Sequence, residues 1–294
     1  MKEKFQDWKP NGLTLDRLTQ IKAVLTEFAA MGIRLTLRQL FYQLVSKDII
    51  PNTQREYKNL GTILSKARLA GMVDWDAVED RVRRPEKHAE WRDIPSLVES
   101  AIAAYRRPRW EDQPNYVELW CEKDALRSVL EPITDDLHVT LMVNRGYSSI
   151  SAMYDSAKRI IRATEAGKDC YILYLGDFDP SGEDMVRDVR DRMTLLGSVK
   201  HGALEVRKIA LTRDQIDEYE PPPNPAKTTD SRFQKFSDAH GTESFEVDAL
   251  PPQSMMDIVR SSIEDLMDMD LYNAWAAREE AEKQKLIKAA AKIV

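Results

Sequence analysis

The sequence has few cysteines and no long hydrophobic run. Its two cysteines, Cys121 and Cys170, lie in apolar segments without a CxxC pair or a histidine cluster, so neither a disulfide framework nor a zinc site is indicated. No apolar run approaches the roughly 20 residues that cross a bilayer, and the chain opens on polar residues unlike a secretory signal. We therefore expect a cytoplasmic protein with no membrane partner.

Net positive charge is also missing. The 294 residues carry a formal charge of −6, which argues against a protein that coats nucleic acid indiscriminately. The charge is uneven, however, because residues 1–115 hold 20 basic and 16 acidic residues, whereas the remainder holds 23 and 33. This asymmetry fits a polyanion-binding module joined to an acidic, metal-holding one, although a difference of this size also occurs in proteins that bind no nucleic acid.

Three helices and a hairpin are predicted in the first part of the chain. Apolar residues recur at helical spacing over 14–31, and Thr36 with Gln39 forms a capping box for a second helix. A third helix is predicted over 55–70, followed by a segment that resembles a wing. This order is typical of a winged helix-turn-helix domain, which we assign to residues 1–112.

The pattern then changes to alternating strands and helices. Strands are predicted at 116–121, 138–143, 170–175 and 204–210, and helices at 124–132, 148–164, 183–195 and 212–219. Alternation at this spacing predicts an α/β fold with a parallel, Rossmann-like sheet. We assign this second domain to residues 113–252 and a helical C-terminal extension to 253–294.

Acidic residues follow two of the predicted strands. An apolar strand ends at Leu175 and Gly176 lets the backbone turn. Asp177 and Asp179 then follow two residues apart, so that in extended backbone both face the same side. Pro180 ends this strand geometry, and Ser181 with Asp184 is predicted to cap the next helix. Taken alone, such a pair is equally typical of a solvated turn.

Glu122 ends an earlier strand. Because the carboxyl ends of parallel strands meet at one edge of a sheet, we expect Glu122 to lie near Asp177 and Asp179. Three carboxylates without a thiol or imidazole favour a hard cation, Mg²⁺ or Mn²⁺. Such ions serve phosphoryl chemistry, although a site for a nucleotide or a small phosphate stays open.

The segments EKDAL at 122–126 and GDFDPSG at 176–182 together resemble the Toprim motifs of the topoisomerase VI A subunit and of its meiotic relative that makes double-strand breaks. The resemblance implies that Glu122, Asp177 and Asp179 hold Mg²⁺. The short chain, without a P-loop, is most similar to the small stand-alone relatives called Mini-A. A separate ATPase subunit is therefore a possible partner.

The N-terminal domain adds to this resemblance. The family carries its nucleophilic tyrosine in the pattern Arg-x-x-aromatic-Tyr, which matches the segment from Arg38 to Tyr42. A tyrosine in an apolar helix is usually part of the core. Here helical periodicity predicts that Tyr42 lies off the apolar stripe, beside Arg38, where both groups can meet a phosphate.

Polar residues of the third helix and the wing are predicted to contact DNA. They are Lys58, Thr62, Ser65, Lys66, Arg68, Arg81, Arg83 and Arg84.

The resemblance implies a homodimer on double-stranded DNA in which Tyr42 of one subunit faces the metal site of the other. We expect a metal-dependent, topoisomerase-like strand cleavage through a 5′-phosphotyrosyl link, without ATP. Two alternatives remain open at this point. One is a Toprim nuclease that uses water, and the other is a dimer that binds or bridges DNA without cutting it.

Overall fold

The computed structural model describes residues 2–79, 88–143, 150–197, 204–225 and 230–291. In the N-terminal part, three helices pack together: α1 (Gly12–Ala30), α2 (Leu37–Ser46) and α3 (Gln54–Leu69). The apolar positions predicted for α1 are buried in one cluster with residues of α2 and α3. The predicted capping box is confirmed, because the Thr36 side chain accepts from the backbone of Gln39 and the Gln39 side chain accepts from that of Thr36.

The segment after α3 differs from the predicted wing where it is described. A 3-10 turn (Trp75–Ala77) leads into a two-residue strand, β2 (Val78–Glu79), that runs parallel to β1 (Leu35–Thr36). The rest of the predicted wing lies outside the described residues. A helix α4 (Ile94–Ala104) follows, capped by Asp93.

The second part is a mixed α/β unit around a four-stranded sheet. Its strands are β3 (Asn115–Cys121), β4 (Thr140–Val143), β5 (Asp169–Leu175) and β6 (Leu204–Ala210). They run parallel in the order β4-β3-β5-β6, which confirms the predicted parallel sheet. The chain moves outward from β3 to β4 and then crosses back to β5. The adjacent ends of β3 and β5 therefore form a topological switch point, where open sheets bind ligands.

Helices cover both faces of this sheet. Alternate residues of β3 and β5 contribute to two separate apolar clusters, as the two-residue period of a strand requires. One face packs against α5 (Arg127–Asp136), α8 (Arg213–Tyr219) and α10 (Pro252–Glu264). The other face packs against α6 (Ile150–Glu165) and α7 (Pro180–Leu195).

The remaining elements lie around the carboxyl edge of the sheet and at the end of the chain. They are a short antiparallel pair, β7 (Asn224–Pro225) with β8 (Glu243–Ser244), and the helices α9 (Phe233–His240) and α11 (Met269–Ala290). Within the described ranges, none of the helices combines the length and the apolar character that crossing a bilayer requires.

Candidate active site

The switch point brings Glu122 and Asp177 to neighbouring strand ends. Cys121 and Leu175 are paired in register at the ends of β3 and β5, and the Glu122 amide donates to the Leu175 carbonyl oxygen at 3.0 Å. Glu122 follows Cys121 directly, and Asp177 follows Leu175 after one residue, Gly176. The structure bears out the expected proximity of the two segments.

A segment far along the chain closes over the end of β5. Phe178 and Phe245 exchange backbone hydrogen bonds of 2.8 and 2.9 Å, so residues 243–248 lie beside the DFD turn like an added strand. Two residues after Phe245, the amide of Val247 donates to Oδ1 of Asp177 at 2.9 Å. These bonds carry Glu246 and Asp248 to the edge of the sheet.

The acidic cluster that results is not the one that the sequence predicts. Among the described residues, Asp177, Glu246 and Asp248 are the three carboxylates whose ligand atoms lie within 4.8 Å of one another, a spacing that could hold a metal ion. Asp177 is the one residue that this cluster shares with the predicted metal set, and Glu246 and Asp248 are not part of that prediction. Their segment, FEVDAL, shows only an alternation of apolar and acidic residues, which is also typical of an ordinary half-buried strand.

Lys123 lies at the centre of this acidic triad. Its Nζ is 2.7 Å from Oδ1 of Asp177 and 2.6 Å from Oδ1 of Asp248, and it also donates to Glu246. The Lys123 side chain is 14% exposed. Although burial acts to lower it, these carboxylates raise the pKa of Lys123, so the ammonium stays charged.

Arg38 reaches the same triad from the N-terminal part. Its Nε lies 2.9 Å from Oδ2 of Asp248, and Nη2 donates to Oε2 of Glu246. Its guanidinium carbon is 5.8 Å from the centre of the Tyr42 ring. The predicted neighbourhood of Arg38 and Tyr42 is thus present.

The prediction that Tyr42 lies off the core is wrong. Tyr42 is only 5% exposed, and its ring packs edge-on against Phe41 at 5.4 Å. The physical reason is a second packing partner: α2 is covered by α1 on one side and by the 3-10 turn Val247–Ala249 on the other, so all residues from 39 to 45 are buried. Periodicity in one helix cannot reveal that both of its faces are covered.

Tyr42 nevertheless reaches the acidic site. It lines a cleft of about 640 Å³ together with Arg38, Lys123, Asp177 and Asp179 of the same chain. Burial raises the pKa of Tyr42, Glu246 and Asp248 add to this effect, and Arg38 and Lys123 oppose it. The phenol is therefore protonated at neutral pH.

Asp179 has a different position from Asp177. Its Oδ1 accepts a 2.6 Å hydrogen bond from the amide of Gly182, which makes Asp179 the N-cap of α7. The predicted Ser181–Asp184 capping box is wrong, because Pro180 already occupies the first helical turn. Asp179 still faces the cleft.

Glu122 carries an unmet acceptor. Its Oε2 is buried and accepts no hydrogen bond from any described residue. Burial raises the pKa of Glu122 and the charge of Asp179 adds to this effect, whereas Lys123, a hydrogen bond from the Asp177 backbone to this carboxylate, and Lys208 oppose it. Gly176 leaves room for this carboxylate, since a Cβ there would lie 3.1 Å from Oε2. An orphaned carboxylate oxygen beside a second acid fits a bound cation.

The start of α3 and the β7–β8 pair complete the lining of the cleft. Their lining residues are Asn52, Thr53, Gln54, Asn224 and Ser244. The Asn52 Nδ2 donates to Oδ1 of Asn224 at 2.9 Å, which ties the α2–α3 connection to the β7–β8 pair.

The comparison with known proteins adds no family to this geometry. No family model and no curated protein sequence matches the chain. What the cleft can do therefore follows from its own residues.

The described residues that are predicted to contact DNA do not line this cleft. Lys58, Thr62, Ser65 and Lys66 are exposed on α3. Arg68 instead donates to the carbonyl oxygens of Trp75 and Val78, at 3.0 and 2.6 Å, and so holds the turn after α3. Arg81, Arg83 and Arg84 lie outside the described residues.

Proposed function

We propose that this chain is a DNA-binding, topoisomerase VI A-like protein that cuts DNA by metal-dependent attack of Tyr42 on a phosphodiester. One observation carries the proposal: the phenol of Tyr42, the guanidinium of Arg38 and the carboxylate of Asp177 line one cleft at the switch point of the sheet. A nucleophile, a phosphate-binding cation and a metal-binding acid are the parts that such a transfer needs.

Glu122, Asp177 and Asp179 are the residues that would hold Mg²⁺ or Mn²⁺, which supplies positive charge against the phosphodiester oxygens. The orphaned Oε2 of Glu122 supports this assignment. Further support comes from the donor set, which consists only of carboxylates and so favours a hard cation.

The protein groups act on the phenol and on the phosphate. In the proposed transfer, a bond forms between the phenol oxygen of Tyr42 and phosphorus, and the bond from phosphorus to the 3′ oxygen breaks. The phenol gives up its proton, and the 3′ oxygen takes one up. Arg38 lies over Tyr42 and stabilises negative charge on the phenol oxygen and the phosphate.

Glu246 is the proposed proton acceptor. It lines the cleft with Tyr42 and contacts Arg38. Although burial acts to raise it, Lys123 and Arg38 lower the pKa of Glu246, which keeps this carboxylate ionised.

Cleavage within one chain is part of the proposal. The family resemblance implies that the tyrosine acts on the partner's metal site, but here Tyr42 and Asp177 share a cleft of the same chain. We also propose that the protein binds double-stranded DNA as a homodimer, and that the winged helix-turn-helix contacts the DNA with the exposed face of α3. The shared cleft does not require this dimer.

A Toprim nuclease that uses water is the second candidate. The burial of Tyr42 favours it, because a phenol that is 5% exposed and has a raised pKa is a poor nucleophile until it is uncovered.

The test is cleavage of supercoiled plasmid with Mg²⁺ or Mn²⁺, stopped with detergent and analysed with and without protease. We expect breaks that carry covalent protein, lost in Tyr42→Phe. The matched control is Tyr57→Phe, since Tyr57 lines the same cleft and packs its ring on Phe41 at 5.4 Å.

Other outcomes select other functions. Breaks with free ends that persist in Tyr42→Phe would establish the water-using nuclease. Intact plasmid despite tight binding would leave a DNA-binding or bridging protein that does not cut.

A further inference from the structure

We propose that the ammonium of Lys123 is the resident cation of the acidic triad Asp177, Glu246 and Asp248 and occupies the place of a second divalent ion. The inference deepens the proposed function and rests on it for the first ion, which Glu122 and Asp179 would hold with Asp177. Sites for phosphoryl transfer often use two metal ions about 4 Å apart. Here a side chain takes one of the two positions.

The geometry of Lys123 supports this role. An ammonium has three N–H donors, and the three carboxylates of the triad each accept one of them. The triad oxygens lie within 4.8 Å of one another, so they converge on one point as ligands of a single ion do. The ammonium lies at that point.

The surroundings of the triad make the ammonium hard to replace. The Asp248 side chain is fully buried, and its two oxygens face Lys123 and Arg38. The Asp177 Oδ1 that faces Lys123 also accepts from the Val247 amide. With both cations in place, the three carboxylates keep only one unit of negative charge, which is too little to draw in a hydrated divalent ion.

Glu122 and Asp179, on the other side of Asp177, differ from the triad in their contacts. Glu122 has a buried oxygen without a hydrogen bond from the described residues, and Asp179 adds negative charge nearby. No lysine or arginine of the described residues forms an ion pair with either of them within 4.0 Å. The Asp177 carboxylate therefore lies between a side that the Lys123 ammonium fills and a side where Glu122 and Asp179 keep their charge without such an ion pair.

The test is the number of Mn²⁺ ions bound per chain, measured on the full-length protein without DNA by electron paramagnetic resonance of free Mn²⁺ and by calorimetry. Lys123→Met should bind one more Mn²⁺ than wild type, because the triad loses its ammonium. Lys123→Arg, which keeps a cation, should bind the same number as wild type. The matched control is Lys168→Met, since the Lys168 ammonium donates to a backbone carbonyl oxygen at 2.8 Å, and its count should not change.

The difference in ion count between Lys123→Met and wild type tests the role of Lys123. The number of ions that wild type binds tests the proposed function. If Glu122→Gln removes the ion of wild type, the ion belongs to the proposed cleavage site. If wild type binds no ion and Lys123→Met binds one, the role of Lys123 stands and the proposed metal site fails. Cleavage is not part of this measurement, so the two proposals can fail separately.

Two results overturn the inference. The first is a folded Lys123→Met that binds no more ions than wild type. The second result applies if Lys123→Met is unfolded without metal. An ion that replaces the ammonium should then restore cooperative melting. A Lys123→Met variant that stays unfolded at millimolar Mn²⁺ therefore also contradicts the inference.

Discussion

Asp177 connects the two halves of the site. It contacts Lys123 on one side and faces the cleft with Asp179 on the other. Burial raises its pKa to about 7, Glu246 and Asp248 add to the effect, and Lys123 opposes it. Near neutral pH, this carboxyl group is therefore close to the point where it binds a proton.

This pKa predicts the pH dependence of metal binding. A divalent ion binds the ionised carboxylate, so below about pH 7 a proton must leave first. The affinity for Mn²⁺ should therefore rise about tenfold per pH unit up to about pH 7 and level off above it, as calorimetry would show. The control is Asp184→Asn, which should leave this pH dependence unchanged. Arg187 and Arg232 lower the pKa of Asp184, so its carboxyl group is already ionised across this range. An affinity that stays constant below pH 7 would contradict the assignment of Asp177.

At the scale of elements, the start of α7 determines where both aspartates lie. Gly182 donates to Asp179, and a Cβ at Gly182 would lie 2.1 Å from the carbonyl oxygen of Asp177. That contact is with backbone, so no side-chain rotation can relieve it. The GDFDPSG turn thus requires glycine for close approach, a requirement that spacing alone does not reveal.

Gly182→Ala should move this turn. We expect the free energy of unfolding to fall by about 1 to 3 kcal/mol, as for other overpacked positions, and Mn²⁺ affinity to fall with it. The control is Gly12→Ala at the start of α1, where no atom lies within 4 Å of the added Cβ and alanine favours the helix. Urea denaturation measures the free energy of unfolding of both variants, and calorimetry measures their Mn²⁺ affinity. Equal effects of the two substitutions would show that the close approach at Gly182 does not constrain the turn.

At the scale of the whole molecule, Arg38 joins the N-terminal helices to the sheet. Its partners Glu246 and Asp248 lie about two hundred residues later, on the turn that packs against α2. The Asp248 side chain is fully buried, so its negative charge is stable there only beside its two cations, Lys123 and Arg38. The cleft exists only while these two parts of the chain are held together.

Arg38→Gln should therefore destabilise the protein as a whole. Removing one partner of a buried ion pair costs about 3 to 5 kcal/mol, but solvent screens Arg38, whose side chain is 43% exposed, so we expect a loss of about 2 kcal/mol in urea denaturation. The matched control is Arg213→Gln, because Arg213 pairs with Asp217 on the surface of α8 and its loss should cost less than about 1 kcal/mol. If both variants lose the same stability, the Arg38 contacts do not hold the two parts together.

The sequence by itself determined most of the local structure. Helical periodicity and the Thr36–Gln39 capping box defined α1 and α2, and alternation of apolar runs with helices predicted the parallel sheet. The neighbourhood of Glu122 and Asp177 also followed, because strand ends in a parallel sheet lie at one edge. These features depend on residues that are close in sequence or on a general property of sheets.

Only the tertiary structure decided the composition of the acidic triad and the burial of Tyr42. Val247 lies 70 residues from the Asp177 carboxylate that it binds, and Glu246 lies 208 residues from Arg38. No local pattern encodes such pairs, since they form only when the turn after β8 packs against both the sheet and α2. That same packing covers the face of α2 on which periodicity placed Tyr42, so the position of this phenol is a property of the assembled fold.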